Sequence, residues 1–248
     1  MNDYRYVEQN LRDVRARLAA AATRGGYPTP ELIGVTKSAA PEEVLALASL
    51  GLENMAENRV QLLRERLELV SHLKRPPVFD LIGSLQTNKC KYVVGAVRLV
   101  QSLDSLRLAA ELDRIGRVRN QVTRVLIEVN SAREEAKGGI LPEQVLDFAK
   151  ELTAFPSLSV AGLMTMGPAT RESAALRECF RETHRTWKEL IRLGRFDENM
   201  PPVLSMGMSE SFEIAAEEGA TTVRVGRALF ARKENESPNR KDEENEPV

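Results

Sequence analysis

The chain has 248 residues, 42% hydrophobic and 29% charged, and its 35 Lys and Arg against 36 Asp and Glu leave a net charge of −1. That length can bury one large core, the charge balance excludes a general attraction to nucleic acid or anionic lipid, and no apolar run reaches membrane-spanning length. The start Met1-Asn2-Asp3-Tyr4-Arg5 is no signal peptide, and Cys90 and Cys179 stand far apart without metal spacing, so the expectation is a cytoplasmic chain with reduced thiols.

Val7, Leu11, Val14 and Leu18 recur at helical spacing and predict a first amphipathic helix over residues 4–24. Leu32-Ile33-Gly34-Val35-Thr36-Lys37 follows, an apolar run that ends in a lysine. Ser38 to Glu43 then reads as a turn and a helix start, with Pro41 suited to the first turn and Glu42 and Glu43 at the positive end of the helix dipole. A continuous apolar run before a helix reads as a buried parallel strand. Further on, the pattern predicts helix 41–50, a weaker strand 52–58, a charged helix 59–73, strand 78–83, a helical segment 87–94 and strand 97–103. Asp104 or Ser105 caps a helix through residue 115. Strand 122–129, helix 142–152 and strand 158–166 come next. A long helix, 171–194, is expected to bury Leu176, Phe180, Trp187 and Ile191. Short elements close the pattern: strand 203–206, helix 212–218, strand 221–225 and helix 227–231.

Eight strands alternating with helices over this length predict an α/β chain, a (β/α)8 TIM-type barrel with an extra N-terminal helix. A doubly wound open sheet fits less well, because no Gly-x-Gly-x-x-Gly follows any strand. The barrel is expected over residues 1–232. Residues 233–248 are charged, carry two prolines and almost nothing apolar, and read as a disordered polar tail.

Such barrels bind ligands at the carboxyl ends of their strands. A lysine held there in partly dry surroundings is a nucleophile for carbonyl compounds. In the last strand, period-two alternation places Arg224 and Gly226 on one face, and the backbone from Gly226 to Arg227 opens a helix, a natural anion site. Ser205-Met206-Gly207-Met208-Ser209 adds amides and a hydroxyl. The first and eighth strands are neighbours in a closed barrel, so this cradle and Lys37 share one mouth. A carbonyl compound carrying a phosphate, bound through an imine, fits that arrangement. The only histidines, His72 and His184, stand among helical charges, which argues against a histidine-based site.

Leu32 to Lys37, Glu57-Asn58-Arg59-Val60-Gln61, Ile82-Gly83-Ser84-Leu85-Gln86-Thr87-Asn88-Lys89, Gly162 to Met166, Leu204 to Ser209 and Val223 to Phe230 together resemble the pyridoxal phosphate homeostasis protein family, in order, from about residue 5 to 232. That family is similar to the barrel domain of alanine racemase. The resemblance implies pyridoxal 5'-phosphate (PLP) bound to Lys37 as a Schiff base. By position, Ser209, Gly226 and Arg227 hold the phosphate, Arg224 faces the pyridine nitrogen and Asn58 lies near the ring. Lys137-Gly138-Gly139 matches a further family pattern. This chain departs from the family where Asp80-Leu81 follows Phe79 in place of a histidine-containing stretch. It departs again at Ala56 and Ala231, which replace glycines, and at Leu62, which replaces a glutamate.

The expected function is intracellular PLP homeostasis, meaning buffering and delivery of the cofactor without rapid catalysis. The expected partners are PLP and PLP-dependent apo-enzymes, with no nucleic acid and no membrane, and the protein is expected to be a monomer. A racemase-like enzyme and a cofactor-free Schiff-base aldolase are the competing readings. An arginine at the pyridine nitrogen weakens the electron sink, the chain runs from the barrel into a polar tail, and Tyr4, Tyr6, Tyr27 and Tyr92 lie in no appended domain. Removing residues 234–248 is expected to leave folding and cofactor binding unchanged. A fall of many degrees in melting temperature on truncation would show instead that this segment packs on the barrel.

Overall fold

A computed structural model of the chain describes residues 4–134, 138–170 and 172–232. Lys137 and the segment read as a polar tail lie outside the described residues. The chain opens with helix α1 (Arg5–Gly25) and then lays down eight strands. These are β1 (Glu31–Val35), β2 (Asn54–Glu57), β3 (Val78–Leu81), β4 (Leu99–Leu103), β5 (Thr123–Glu128), β6 (Leu158–Met164), β7 (Val203–Ser205) and β8 (Thr222–Val225). They form one closed parallel barrel in sequence order, and β8 returns to β1 with Ile33 opposite Arg224. Helices α2 (Pro41–Ser49), α3 (Val60–Val70), α4 (Leu106–Arg119), α5 (Val145–Glu151), α6 (Ser173–Arg192), α7 (Phe212–Glu217) and α8 (Arg227–Phe230) follow β1, β2, β4, β5, β6, β7 and β8, and a 3-10 segment, Thr87–Tyr92, follows β3. This is the expected eight-stranded barrel with its extra helix.

The strands are buried on both faces, so their apolar residues divide between two jobs. In β1, Gly34 faces the helices: a Cβ there would stand 2.6 Å from Leu52 and 2.9 Å from Leu47 side-chain carbons. Ile33 and Val35 point the other way and pack with Ala56 and Ile82. Leu99, Leu126, Ala161 and Met164 form a second, separate apolar group. Buried polar side chains complete the interior. Arg98 donates to both oxygens of Asp80 at 2.9 and 2.7 Å and to Glu31 at 3.0 Å. Gln101 donates to Asp80 at 2.6 Å and accepts from Ser205 at 2.7 Å. Ser205 in turn accepts from Arg224 at 2.5 Å. Because β4 and β7 are not neighbours in the barrel, the Gln101–Ser205 bond crosses the lumen.

Several local expectations are refined or corrected. The segment after β3 is 3-10 rather than α-helical, and the helix expected from Pro142 is broken into 3-10 turns flanking α5. Ile191 is 41% exposed and Leu190 takes the core position. His184 is buried, edge-on to Tyr27 with ring centroids 5.6 Å apart, rather than sitting in a solvated charge cluster. Ser105, not Asp104, caps α4, accepting from Leu108 N at 3.4 Å.

Asp80 is fully buried and is shared by Arg98 and Gln101. Asp80→Ala is expected to cost about 3–5 kcal/mol, because it removes the bidentate partner of Arg98 and leaves the buried Gln101 amide without its acceptor. Urea denaturation measures it, and a loss below about 1 kcal/mol would mean that the network adds nothing to stability.

Candidate functional site

A cavity of about 400 Å³ opens at the carboxyl end of the barrel, and Lys37, Ser209, Arg224, Gly226 and Arg227 all line it. Its apolar wall comes from Val35, Ile82 and Met166. The sequence-predicted residues from the first and last strands therefore meet in one place.

The ladder of β1 ends at Val35, and Thr36 N still donates to Ala56 O at 3.1 Å. The chain then turns, with Ala39 N donating to Thr36 O at 3.0 Å and Ala40 N to the Glu43 carboxylate at 2.6 Å. Lys37 sits on this turn, two residues past the strand, and is exposed rather than in the partly dry setting expected at a strand end. Turn geometry, not strand geometry, carries it over the rim.

Opposite, Gly207 has φ +90°, a conformation that suits glycine, and a Cβ there would lie 2.5 Å from that of Ala215. This tight turn lets Gly207 O accept from Arg224 N at 3.1 Å and feeds the chain into Met208 and Ser209. Ser211 Oγ caps Met208 N at 3.1 Å. Ser209 Oγ accepts from Gly226 N at 3.2 Å and Ala228 N at 3.4 Å, so two amides of the last turn converge on one oxygen. Gly226 is also where β8 passes β1: an added Cβ would meet Val35 O at 3.0 Å. Helix α8 is short and is fixed from outside by Asn10 of α1, which donates to Leu229 O at 3.1 Å and Ala231 O at 2.8 Å. The Arg227 side chain points to solvent and pairs with Glu210 at 3.0 Å.

Arg224 is 3% exposed. It donates to Ser205 Oγ and, at 2.9 Å, to Thr165 O. Burial lowers its pKa to about 10, against the pull of Glu128 and Asp80, so it remains a cation at neutral pH. Asn58 is half-buried just past β2 and does not line the cavity. Its carbonyl lies where a Cβ on Gly83 would come within 2.1 Å, so the ends of β2 and β3 are packed backbone to backbone.

Sequence reasoning missed the part of the wall formed by Pro168, Ala169 and Thr170, which lie in a loop with no motif. It also missed Glu128, at the end of β5. Burial first, then the charge of Asp104, pushes the Glu128 carboxyl up to about 7, with Arg224 opposing. Its only sequence signal was its place at a strand end.

The model of the alanine racemase N-terminal domain matches residues 6–233. A pyridoxal phosphate homeostasis protein of Aquifex aeolicus is 39% identical over 225 residues, 90% of this chain and 96% of that one. A second so named, from Pseudomonas aeruginosa, is 31% identical over 94% of this chain and 98% of its own length. Among solved structures, PipY of Synechococcus elongatus with PLP bound superposes with a TM-score of 0.77 at 25% identity, covering 91% of this chain and all of that chain. An alanine racemase of Clostridium difficile shares the fold, with a TM-score of 0.69 at 13% identity, and this chain spans 56% of it.

The raised pKa of Glu128 makes a stability prediction with a definite sign. Below about pH 4.5 the carboxyl is neutral folded and unfolded. Between pH 4.5 and about 7 only the unfolded chain ionises, so stability falls as pH rises, and above 7 the penalty is complete. Glu128→Gln removes it. The variant's stability relative to wild type is expected to improve by about 2 kcal/mol on going from pH 5 to pH 8. Urea melts at the two pH values test this, and an equal difference at both would show that Glu128 does not titrate in this range.

Proposed function

Because the chain belongs to the pyridoxal phosphate homeostasis protein family, built on the alanine racemase N-terminal barrel, we propose that it binds pyridoxal 5'-phosphate and buffers it for other proteins. The observation that carries the reading is the convergence of Lys37 and the Ser209–Gly226 cradle on one cavity.

The residues present fit the group. The Gly226 and Ala228 amides hold Ser209 Oγ at the cavity, and because that oxygen accepts from both, its own hydrogen can be donated into the cavity. We assign the phosphate to Ser209 and the backbone at Gly226 and Arg227. When bound, PLP would supply an aldehyde with which a primary amine can react. Lys37 is the one primary amine in the wall described. Arg224 is assigned to the ring nitrogen, where its two engaged guanidinium nitrogens fix it as a donor that cannot take up a proton. That makes the site a weak electron sink, suited to holding the ring rather than to stabilising carbanions. Asn58 is assigned to the rim beside the ring.

Racemisation needs proton donors and acceptors on both faces of a substrate carbon. Lys37 can serve one face, and no histidine or tyrosine is among the residues lining the cavity. We therefore favour a carrier over a racemase-like enzyme, with apo-enzymes that require PLP as the recipients. Among the described residues no helix is long and apolar enough to cross a membrane. A monomer acting in the cytoplasm is the reading that fits best.

Borohydride reduction of the PLP-loaded protein is expected to fix one pyridoxyl group on the peptide containing Lys37, and Lys37→Ala to abolish it. Mass spectrometry reads both, and labelling of another lysine would refute the assignment. Ser209→Ala is expected to cost about 1–2 kcal/mol of PLP affinity, roughly 5- to 30-fold, with little effect on unphosphorylated pyridoxal. Equal affinity of the wild type for pyridoxal and PLP would rule out the phosphate cradle. Incubation with amino acids in deuterated water is expected to give no exchange at ordinary turnover, about 1 per second or more. Exchange at that rate would establish the enzyme reading.

A further inference from the structure

We propose that the buried Glu57–Arg66 pair is a positioning device for Lys37, fixing the turn that carries the lysine rather than stabilising the barrel. Neither side chain lines the cavity, and both reach the turn from behind. On one side of Lys37, Thr36 donates its hydroxyl to Glu57 Oε1 at 2.5 Å. On the other, Arg66 Nη2 donates to Ala39 O at 2.5 Å. The carboxylate, from the end of β2, and the guanidinium, from α3, face each other at 3.6 Å. Lys37 and Ser38 are the exposed tip between these two anchors.

The pair is poorly made as a stabilising element. Glu57 is fully buried and the Arg66 side chain is 7% exposed. Among the described residues, Glu57 Oε2 and Arg66 Nε have no hydrogen-bond partner of good geometry. A good charge-assisted bond is about 2.7–2.9 Å long, and the contact here is longer. Buried charges with unmatched atoms oppose folding, and replacing such a pair with apolar side chains of similar volume is often neutral or stabilising. What Glu57 and Arg66 do well is outward: each makes its shortest hydrogen bond to the turn that holds Lys37. With the Glu43 carboxylate on Ala40 N, three side chains hold this one turn.

The consequence rests on the reading of Lys37 as the covalent holder of PLP. For the Lys37 amine to form its bond to the aldehyde carbon, with the carbonyl oxygen leaving as water, the flexible side chain must start from a backbone fixed relative to the phosphate cradle. Loosening the turn lowers the fraction of time the amine is in reach, an orientation effect. It leaves the cradle and Arg224 untouched, because those belong to β7, β8 and α8.

The test uses the double variant Glu57→Leu/Arg66→Met, which replaces the pair with apolar side chains. Three measurements are made on each protein: the urea unfolding midpoint, the affinity for pyridoxamine 5'-phosphate, which has ring and phosphate but no aldehyde, and the rate of Lys37 adduct formation with PLP, read by absorbance and borohydride trapping. The expected result is an unfolding midpoint at or above wild type, pyridoxamine 5'-phosphate affinity within about twofold, and adduct formation slowed about tenfold or more. Thr36→Val, which removes only the hydroxyl that meets Glu57, is expected to slow adduct formation by about threefold or more with the same unchanged pyridoxamine 5'-phosphate binding. It decides the question if the double variant does not fold. Adduct formation at the wild-type rate in the folded variants, or a parallel loss of all three quantities, overturns the proposal. A wild-type protein that forms no adduct on Lys37 overturns the cofactor reading and this inference together, and is recognised before any variant is made.

Discussion

A cation inside a closed barrel must be compensated, and much of the interior here is arranged around that requirement. Arg224 is nearly inaccessible, and burial alone would make its charge costly. Its guanidinium is met by Ser205 and by the Thr165 carbonyl. Ser205 hands the contact to Gln101, Gln101 to Asp80, and Asp80 to Arg98, whose other side meets Glu31. The chain of bonds runs from the ligand end of the lumen to its opposite end and ties together β8, β7, β4, β3 and β1. Two small apolar groups, one around Ile33 and one around Leu126, fill the remaining space. A network of this kind gains from being complete and loses heavily from any gap.

That arrangement explains why the two ends of the barrel differ. At the far end Arg98 has two carboxylate partners. Burial works against its charge, but the bonds and charge of Asp80, then Glu31, outweigh that and raise its pKa. At the ligand end Arg224 is bonded, among the described residues, to neutral acceptors and to no carboxylate, with Glu128 and Asp80 acting through space. The positive charge is therefore least compensated where the cavity begins. An anionic or electron-rich ring edge is the natural complement to that position.

The architecture was legible because alternation of apolar runs with amphipathic helices is a property of sequence alone, and the two ends of the chain could be joined once closure was assumed. The shared mouth of Lys37, Arg224 and Gly226 followed from placing the last strand beside the first, and the phosphate role of Ser209 came from the family resemblance. What escaped were features that depend on which side of an element faces in. Leu190 and Ile191 are adjacent in α6, and a turn of about 100° per residue puts Leu190 in the core and leaves Ile191 41% exposed. The pairing of Asp80 with Arg98 and of Gln101 with Ser205 could not be read from the sequence, because each pair meets only when the strands are assembled into the barrel. Arg66 sits in a helix rich in charge, and nothing in that pattern marked it as buried against the Lys37 turn. The end of β1 was misjudged by two residues because the ladder, not the side-chain type, decides where a strand stops.

The contrast between the two halves of the mouth bears on what a carrier requires. One half is rigid: a glycine turn, an amide pair converging on Ser209, and an outer brace from Asn10 on α8. The other half presents Lys37 on an exposed turn at the water interface. On the proposed reading, the rigid half holds a phosphate in one orientation, and the exposed half makes a bond that water can reach and undo. An enzyme that stabilises carbanions gains by excluding water from that bond, and a carrier gains by admitting it. Tight phosphate recognition keeps the free cofactor scarce, while an open rim keeps the bound cofactor recoverable. Retaining the capture step under those conditions requires the amine to be held in place by something other than enclosure. A turn anchored from behind by buried side chains supplies that without closing the mouth.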